Sequence, residues 1–387
     1  MRRRRWTHTW TAAPQPAGPD DLPPPPFTGL ADTTLRQTVH VTVGGDRLRV
    51  RLSNACGDAS LPITAAAVAR PAGGRAGVAA IAAGSSATLT FGGRPATVIP
   101  PGAQMVSDPV CTPIGPGENL TITLHVAAGP VPLTSHPGSR TTSYLVAGDK
   151  HTDADLPGAT AVEHWYLLGG VEVESGAPAL AVIGDSLTDG RGSTTDGNDR
   201  WPDNLFARVP RAAVLNQALG GSRVLADGNG PNVLGRLDRD VLAVSGVDRM
   251  LLFAGVNDLG TAPATLSGQR QVADDLLAAY RQVVLRAQAR DIRVYGATLT
   301  PFAGNDLYDD PAGLREATRQ AVNDRIRHGH IFDGVADFDA AVRDPAHPCR
   351  VASPYDTGDH LHLNPAGYAA LAAAVPSRWL TVPRNEI

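Results

Sequence analysis

The feature that most limits how this chain folds is a change of hydrophobic period near residue 170. Upstream, short runs of alternating apolar and polar residues are separated by Pro, Gly and Thr. In "QTVHVTVGGDRLRVRLSN", Val39, Val41 and Val43 alternate with polar residues, and Leu48, Val50 and Leu52 do so after Gly44-Gly45. A period of two sends one set of side chains to a core face and the other to the opposite face. A two-glycine loop accepts the positive φ of a tight turn, so the stretch predicts a β-hairpin. "SATLTFGG", "ATVIPPGAQMVSD" and "NLTITLHVAAG" repeat the pattern with no helix between them, which predicts a β-sandwich or jelly roll. Pro23–Pro26 reads as part of an extended entry segment, poorly ordered or lying along the surface.

Downstream the runs become continuously apolar. "PALAVIG", "AAVLNQAL", "RMLLFAG" and "IRVYGATLTP" read as parallel strands buried on both faces. Between them lie segments of helical spacing, the longest being "LSGQRQVADDLLAAYRQVVLRAQARD", where Val272, Leu276, Tyr280, Val283 and Ala287 recur every three or four residues. Strands alternating with helices predict a doubly wound parallel α/β sheet. A length of 387 residues fits more than one domain. The expected order is an extended segment over 1–30, an all-β sandwich domain over 31–170 and an α/β domain over 171–387.

Charge and composition exclude several partners. Lys+Arg number 34 against Asp+Glu 38, a net charge of −4, which lacks the basic field that nucleic acid requires. No apolar run is long enough to span a bilayer as a helix. Met1–Arg5 is basic, but "WTHTWTAAPQPAGPDDLPPPP" supplies no apolar segment behind it, so no signal peptide is read; the chain is expected to be cytoplasmic or a mature secreted form. Of Cys56, Cys111 and Cys349, at least one must be unpaired; a Cys56–Cys111 bridge is one reading and buried free thiols the plainer one. His328/His330 and His360/His362 lack partner ligands nearby, so no metal and no cofactor are expected. The oligomeric state is not legible.

In doubly wound sheets ligands bind beyond the carboxyl ends of the strands. The first such end here is "GDSLTDG", with Ser186 at the turn into a helix; the second is "NQALGGSRV", with Gly220-Gly221; the third is "FAGVNDLG", with Asn257 and Asp258. "GDHLHLNPAGYAALAAAV" adds Asp359 and His362, with a helix starting around Asn364-Pro365. Acyl transfer needs this set. A serine hydroxyl needs a base to take its proton, an imidazole needs a carboxylate to hold its tautomer, and a tetrahedral intermediate needs fixed donors for its oxyanion. The donors expected are the N–H groups of Ser186 and Gly221 and the side chain of Asn257.

"GDSLTDG", the "GG" of "ALGGSRV", "GVND" and "DHLHLN" stand in the order of the four sequence blocks of the SGNH, or GDSL, hydrolases. The resemblance covers about residues 178 to 380. It implies a flavodoxin-like sheet, a Ser-His-Asp triad and no metal, with activity on esters or thioesters. Residue by residue it implies Ser186 as nucleophile, Gly221 and Asn257 as oxyanion donors, His362 as base and Asp359 as its orienting acid. Gly220 stands as an alternative to Gly221, and His360 to His362, although the family spacing selects His362. With "LRQTVHVTVGGDRLRVRLSNA" and "GDSLTDGRGSTTDGNDRWPDNL" in one chain, the first half resembles, more softly, the β-sandwich found ahead of such domains in some bacterial carbohydrate esterases.

Taken singly, each residue has a plainer role: Ser186 as a helix N-cap, Asn257-Asp258 as a turn, Gly221 as a tight turn, His362 as a half-buried loop histidine. Arg191, Asp196, Asn198 and Arg200 read as a solvated loop. Thr188 two positions after Ser186 departs from the Gly-x-Ser-x-Gly elbow of α/β-hydrolases. The expected activity is a serine carboxylic ester hydrolase working through an acyl-enzyme on short acyl esters, such as acetylated carbohydrates or small esters. Two alternatives are a lipase or lysophospholipase acting on longer acyl esters, and a carbohydrate-binding protein with a vestigial hydrolase domain.

Overall fold

In this computed structural model residues 5–381 are described; residues 1–4, most of the basic start, and 382–387 lie outside the described residues. The contacts divide the chain into two compact units, one of residues up to 177 with 194–198, the other of residues 178–193 with 199 onward.

The first unit is all-β, its strands joined in antiparallel sheets. One sheet runs in the order Trp6–Thr11, Leu168–Glu174, Leu48–Ser53, Gln104–Val106. A larger one runs Thr160–Val162, Ser143–Ala147, Thr33–His40, Asn119–Val126, Leu61–Ala69, Ala87–Thr88. Along Leu48–Ser53, Leu48, Val50 and Leu52 are buried while Arg49 and Arg51 are half-exposed, as a period of two requires.

The expected hairpin does not form. Thr33–His40 pairs with Asn119–Val126 and Ser143–Ala147, whereas Leu48–Ser53 pairs with Leu168–Glu174 and Gln104–Val106, so the two strands lie in different sheets. Alternation specifies which face of a strand is apolar and is silent about which strand pairs with it. Gly44 and Gly45 are glycine for another reason than a positive φ. A Cβ on Gly44 would sit 2.5 Å from the Ile114 carbonyl oxygen, and Gly45 exchanges two backbone hydrogen bonds of 3.0 Å with Ile114. The entry segment also differs from expectation: Trp6–Thr11 is a strand, and Trp10 packs edge-on to Trp165 at 4.8 Å. The expectation rested on Pro23–Pro26, whereas the β-forming Trp and Thr residues ahead of it decide the structure. Among the described residues none of the three cysteines is in a disulfide; Cys111 is exposed and Cys56 and Cys349 are half-buried, so the expectation of buried thiols fails as well.

The second unit is a five-stranded parallel sheet. In chain order its strands are Ala179–Gly184, Ala213–Asn216, Val247–Phe253, Arg293–Ala297 and Gly334–Ala336, and in space they run second, first, third, fourth, fifth. That is the flavodoxin-like order, with its switch point beside the first strand. The continuous apolar run of the first strand follows from covering on both faces. Leu180 and Val182 join a core with Trp201, Phe253, Phe338 and Tyr368, while Ala181 and Ile183 join another with Leu276, Tyr280 and Val283. The long helix is Leu266–Gln288, capped by Thr265, and its buried stripe includes Val272, Leu276, Tyr280, Val283 and Ala287. Gly334–Ala336 was not anticipated, since three residues are too few to display a period.

Candidate active site

The first strand stops at Gly184, and Asp185 starts a single-turn helix, Ser186–Asp189, by accepting the Leu187 N–H at 3.0 Å. The cap is therefore Asp185, and Ser186 is the first helical residue with its hydroxyl left over. A one-turn helix has little dipole, so any positive potential at Ser186 comes from individual N–H groups.

That hydroxyl lies 2.7 Å from His362 Nε2, and His362 Nδ1 lies 2.6 Å from Asp359 Oδ2. Asp359 Oδ1 accepts the N–H groups of His362 at 2.8 Å and Leu361 at 3.0 Å, and the Thr357 hydroxyl at 3.0 Å. Burial alone would raise the Asp359 pKa, but the backbone and ring N–H of His362 and the Leu361 N–H more than offset it, holding the carboxyl well below the usual range. An ionised carboxylate only accepts hydrogen bonds, so Nδ1 carries the proton and Nε2 accepts the Ser186 hydroxyl. His360 is placed elsewhere: it faces solvent, with Nδ1 2.6 Å from its own partner, Asp356.

The other strand ends are stitched to this one. Asp189 Oδ2 accepts the Gly220 N–H at 3.1 Å, and Asn216 Nδ2 donates to the Thr188 carbonyl at 2.8 Å. With the Gly220 N–H engaged, the Gly221 N–H, at φ +69°, is the one left without a partner among the described residues. The Asp258 carboxylate accepts Val224 N–H at 2.9 Å and Leu225 N–H at 3.0 Å, and Asn257 Nδ2 donates to the Ser222 carbonyl at 2.8 Å. Asn257 and Asp258 are thus more than an ordinary turn: they tie the third strand end to the second. Gly255 permits this bend, with φ +135° and a Cβ position only 2.5 Å from the Tyr280 hydroxyl. Tyr368 Oη, on the helix Pro365–Ala374 that follows the His362 loop, donates to the Arg191 carbonyl at 2.5 Å.

Residues 182–370 match the model of the GDSL-like lipase/acylhydrolase family. The second unit belongs to that family. It is a GDSL-type esterase domain, a serine ester hydrolase on a flavodoxin-like sheet. Among solved structures, a GDSL-like lipase from Bacteroides thetaiotaomicron is similar at 17% identity, covering 51% of this chain and 84% of its own, with a TM-score of 0.38. A catalytic mutant of the acetylxylan esterase Axe2 from Geobacillus stearothermophilus is similar at 19% identity, covering 54% of this chain and 95% of its own, also with a TM-score of 0.38. No curated protein matches the chain.

Within the GDSL motif, Asp185 is the unusual group. It is fully buried, one of its oxygens has no partner among the described residues, and its pKa is pushed up to about 7. Burial is the main cause, with the neighbouring Asp258 and Asp189 adding to it against the Leu187 N–H and Arg236. The residues read as a solvated loop prove to be a mixture. Arg191 is exposed, but Arg200 is buried in an ion pair with Asp203 at 2.7 Å. Asp196, in the first unit, accepts the N–H and hydroxyl of Thr142, each at 2.8 Å. A solvated reading rested on polarity alone, and these side chains are polar because they satisfy local donors and acceptors.

Sequence reasoning passed over the end of the fourth strand. The segment that follows it, "TPFAGNDLYDD", carries Asn305 and Tyr308: Tyr308 Oη donates to Asn257 Oδ1 at 2.6 Å, and Asn305 Nδ2 donates to the Asp359 carbonyl at 2.8 Å. The rule that loops after parallel strands build the site was the signal that would have found them.

Proposed function

We propose that this domain hydrolyses carboxylic esters through an acyl-enzyme on Ser186. The observation that carries the reading is the unbroken chain from Ser186 Oγ to His362 Nε2 at 2.7 Å and from His362 Nδ1 to Asp359 at 2.6 Å. Ser186 Oγ attacks the ester carbonyl as His362 Nε2 takes its proton, and the ionised Asp359 stabilises the imidazolium. The oxyanion is received by the N–H groups of Ser186 and Gly221 and by the Nδ2 hydrogen of Asn257 not given to Ser222. Each such donor is worth roughly 3 kcal/mol of transition-state stabilisation. His362 returns the proton to the leaving alcohol; water, activated by the same imidazole, then releases the acid and frees Ser186.

We further infer that the acyl group is short and the alcohol carbohydrate-like. A long acyl chain needs a contiguous apolar surface. Among the described residues the strongly exposed large apolar side chains are Val98, Val131, Leu266, Leu285 and Leu307, and of these Leu307 alone lies on a loop that reaches the site. The softer resemblance of the first half to the sandwich of bacterial carbohydrate esterases points the same way. The test is a p-nitrophenyl ester series from acetyl to dodecanoyl, with acetylated xylan, on the whole chain and its Ser186→Ala variant. The expected outcome is hydrolysis that falls with chain length and is abolished in the variant at unchanged melting temperature. Undiminished turnover by Ser186→Ala would sink the nucleophile assignment, and a preference for dodecanoyl esters would favour the lipase alternative.

A further inference from the structure

The geometry points to Tyr308 as a positioning residue for the oxyanion donor Asn257, an inference that rests on the proposed ester hydrolysis. A carboxamide can present its oxygen or its nitrogen to a site, and only the nitrogen stabilises an oxyanion. What decides between them here is the partner of each atom. The phenolic O–H of Tyr308 can satisfy Asn257 Oδ1 only as a donor, at 2.6 Å, and this fixes Oδ1 on the Tyr308 side and Nδ2 on the opposite side. One Nδ2 hydrogen then goes to the Ser222 carbonyl at 2.8 Å, and the second is left for the substrate. Asn257 is only 4% exposed, so no solvent is at hand to replace the Tyr308 hydroxyl if it is lost.

The surroundings hold the ring in place. Gly260 lies within the helix Val256–Thr261, and a Cβ there would come 2.4 Å from the Tyr308 ring, so the ring sits flat on the helix that carries Asn257. Phe302 packs against it in a T-shaped pair, with ring centroids 6.2 Å apart. Asn305 Oδ1 accepts the N–H groups of Leu307 and Tyr308, both at 3.1 Å, and its Nδ2 donates to the Asp359 carbonyl at 2.8 Å. One loop therefore braces the oxyanion amide and the segment that bears the acid of the triad. Burial pushes the Tyr308 pKa up, which keeps the hydroxyl protonated as a donor.

Tyr308→Phe keeps the ring and removes only the hydroxyl. With p-nitrophenyl acetate, kcat should fall about 10- to 100-fold, with KM changed less than about twofold and the melting temperature preserved. Asn257→Ala should fall about 100- to 1,000-fold, and adding Tyr308→Phe to it should cost nothing more. A ring that served packing alone would give the same loss in both backgrounds. Wild-type kcat in Tyr308→Phe, or an undiminished second loss in the Asn257→Ala background, overturns the inference. Full activity in Asn257→Ala would instead remove the oxyanion assignment beneath it, and Ser186→Ala in the same assay reports separately on the nucleophile.

Discussion

Two carboxyl groups near Ser186 are pushed in opposite directions by their surroundings. Asp359 keeps its charge because the N–H groups of His362 and Leu361 outweigh its partial burial. It therefore takes up no proton in the neutral and mildly acidic range, and the acid limb of a kcat/KM profile should fall with a slope of one. A slope of two would mean that Asp359 gains its proton in the same range. Asp185 is the reverse case, kept protonated up to about pH 7 by full burial. Its folded-state pKa lies above its unfolded value of 3.8, so from about pH 4 to about pH 7 the folded state binds the extra proton and stability declines as pH rises. Asp185→Asn retains an oxygen to cap Leu187 but cannot ionise. In urea titrations its midpoint should rise relative to the wild type as pH passes from 4 to 8, and a constant gap would show that Asp185 is ionised throughout.

At the scale of elements, the site depends on turns that leave the strand ends in the right direction. Gly255 links the third strand to the helix of Asn257 with a φ of +135° and the Tyr280 hydroxyl 2.5 Å from a Cβ position. Gly255→Ala should destabilise the chain by roughly 2 kcal/mol or more in denaturant unfolding, from backbone strain and overpacking together. The Tyr280 hydroxyl also donates to the Ala254 carbonyl at 2.7 Å, so the clash is isolated by making Gly255→Ala in a Tyr280→Phe background: there it should cost less than in the wild type, and no cost at all would mean that the backbone carries no strain. Four of the five parallel strands and the long helix were legible because their periods extend over enough residues. Gly334–Ala336 was too short, and the upstream hairpin was misread because a strand's alternation does not name its partner. The glycines at 44 and 45 carried the appearance of a turn, while their place is a close approach to the chain at Ile114.

For the molecule as a whole, the residues in the family blocks could be named as candidates in advance because each block is short and local. Asp359 stands three residues from His362, and Ser186, Gly221 and Asn257 each stand at the end of a recognisable strand. Tyr308 and Asn305 had no such local mark, since their meaning lies in what they touch: Asn257 is 51 positions from Tyr308, and Asp359 is 54 positions from Asn305. By itself the sequence determined the class of each half, the run of strands and helices in the second, and the set of groups able to carry acyl transfer, because these depend on side-chain periodicity and type. Tertiary structure alone decided that the Gly220 N–H is taken and that of Gly221 is not, which way the Asn257 amide faces, and that Asp185 is buried enough to hold a proton. Each of these is an outcome of distance and desolvation among residues far apart in the chain, and neither quantity is written in local order.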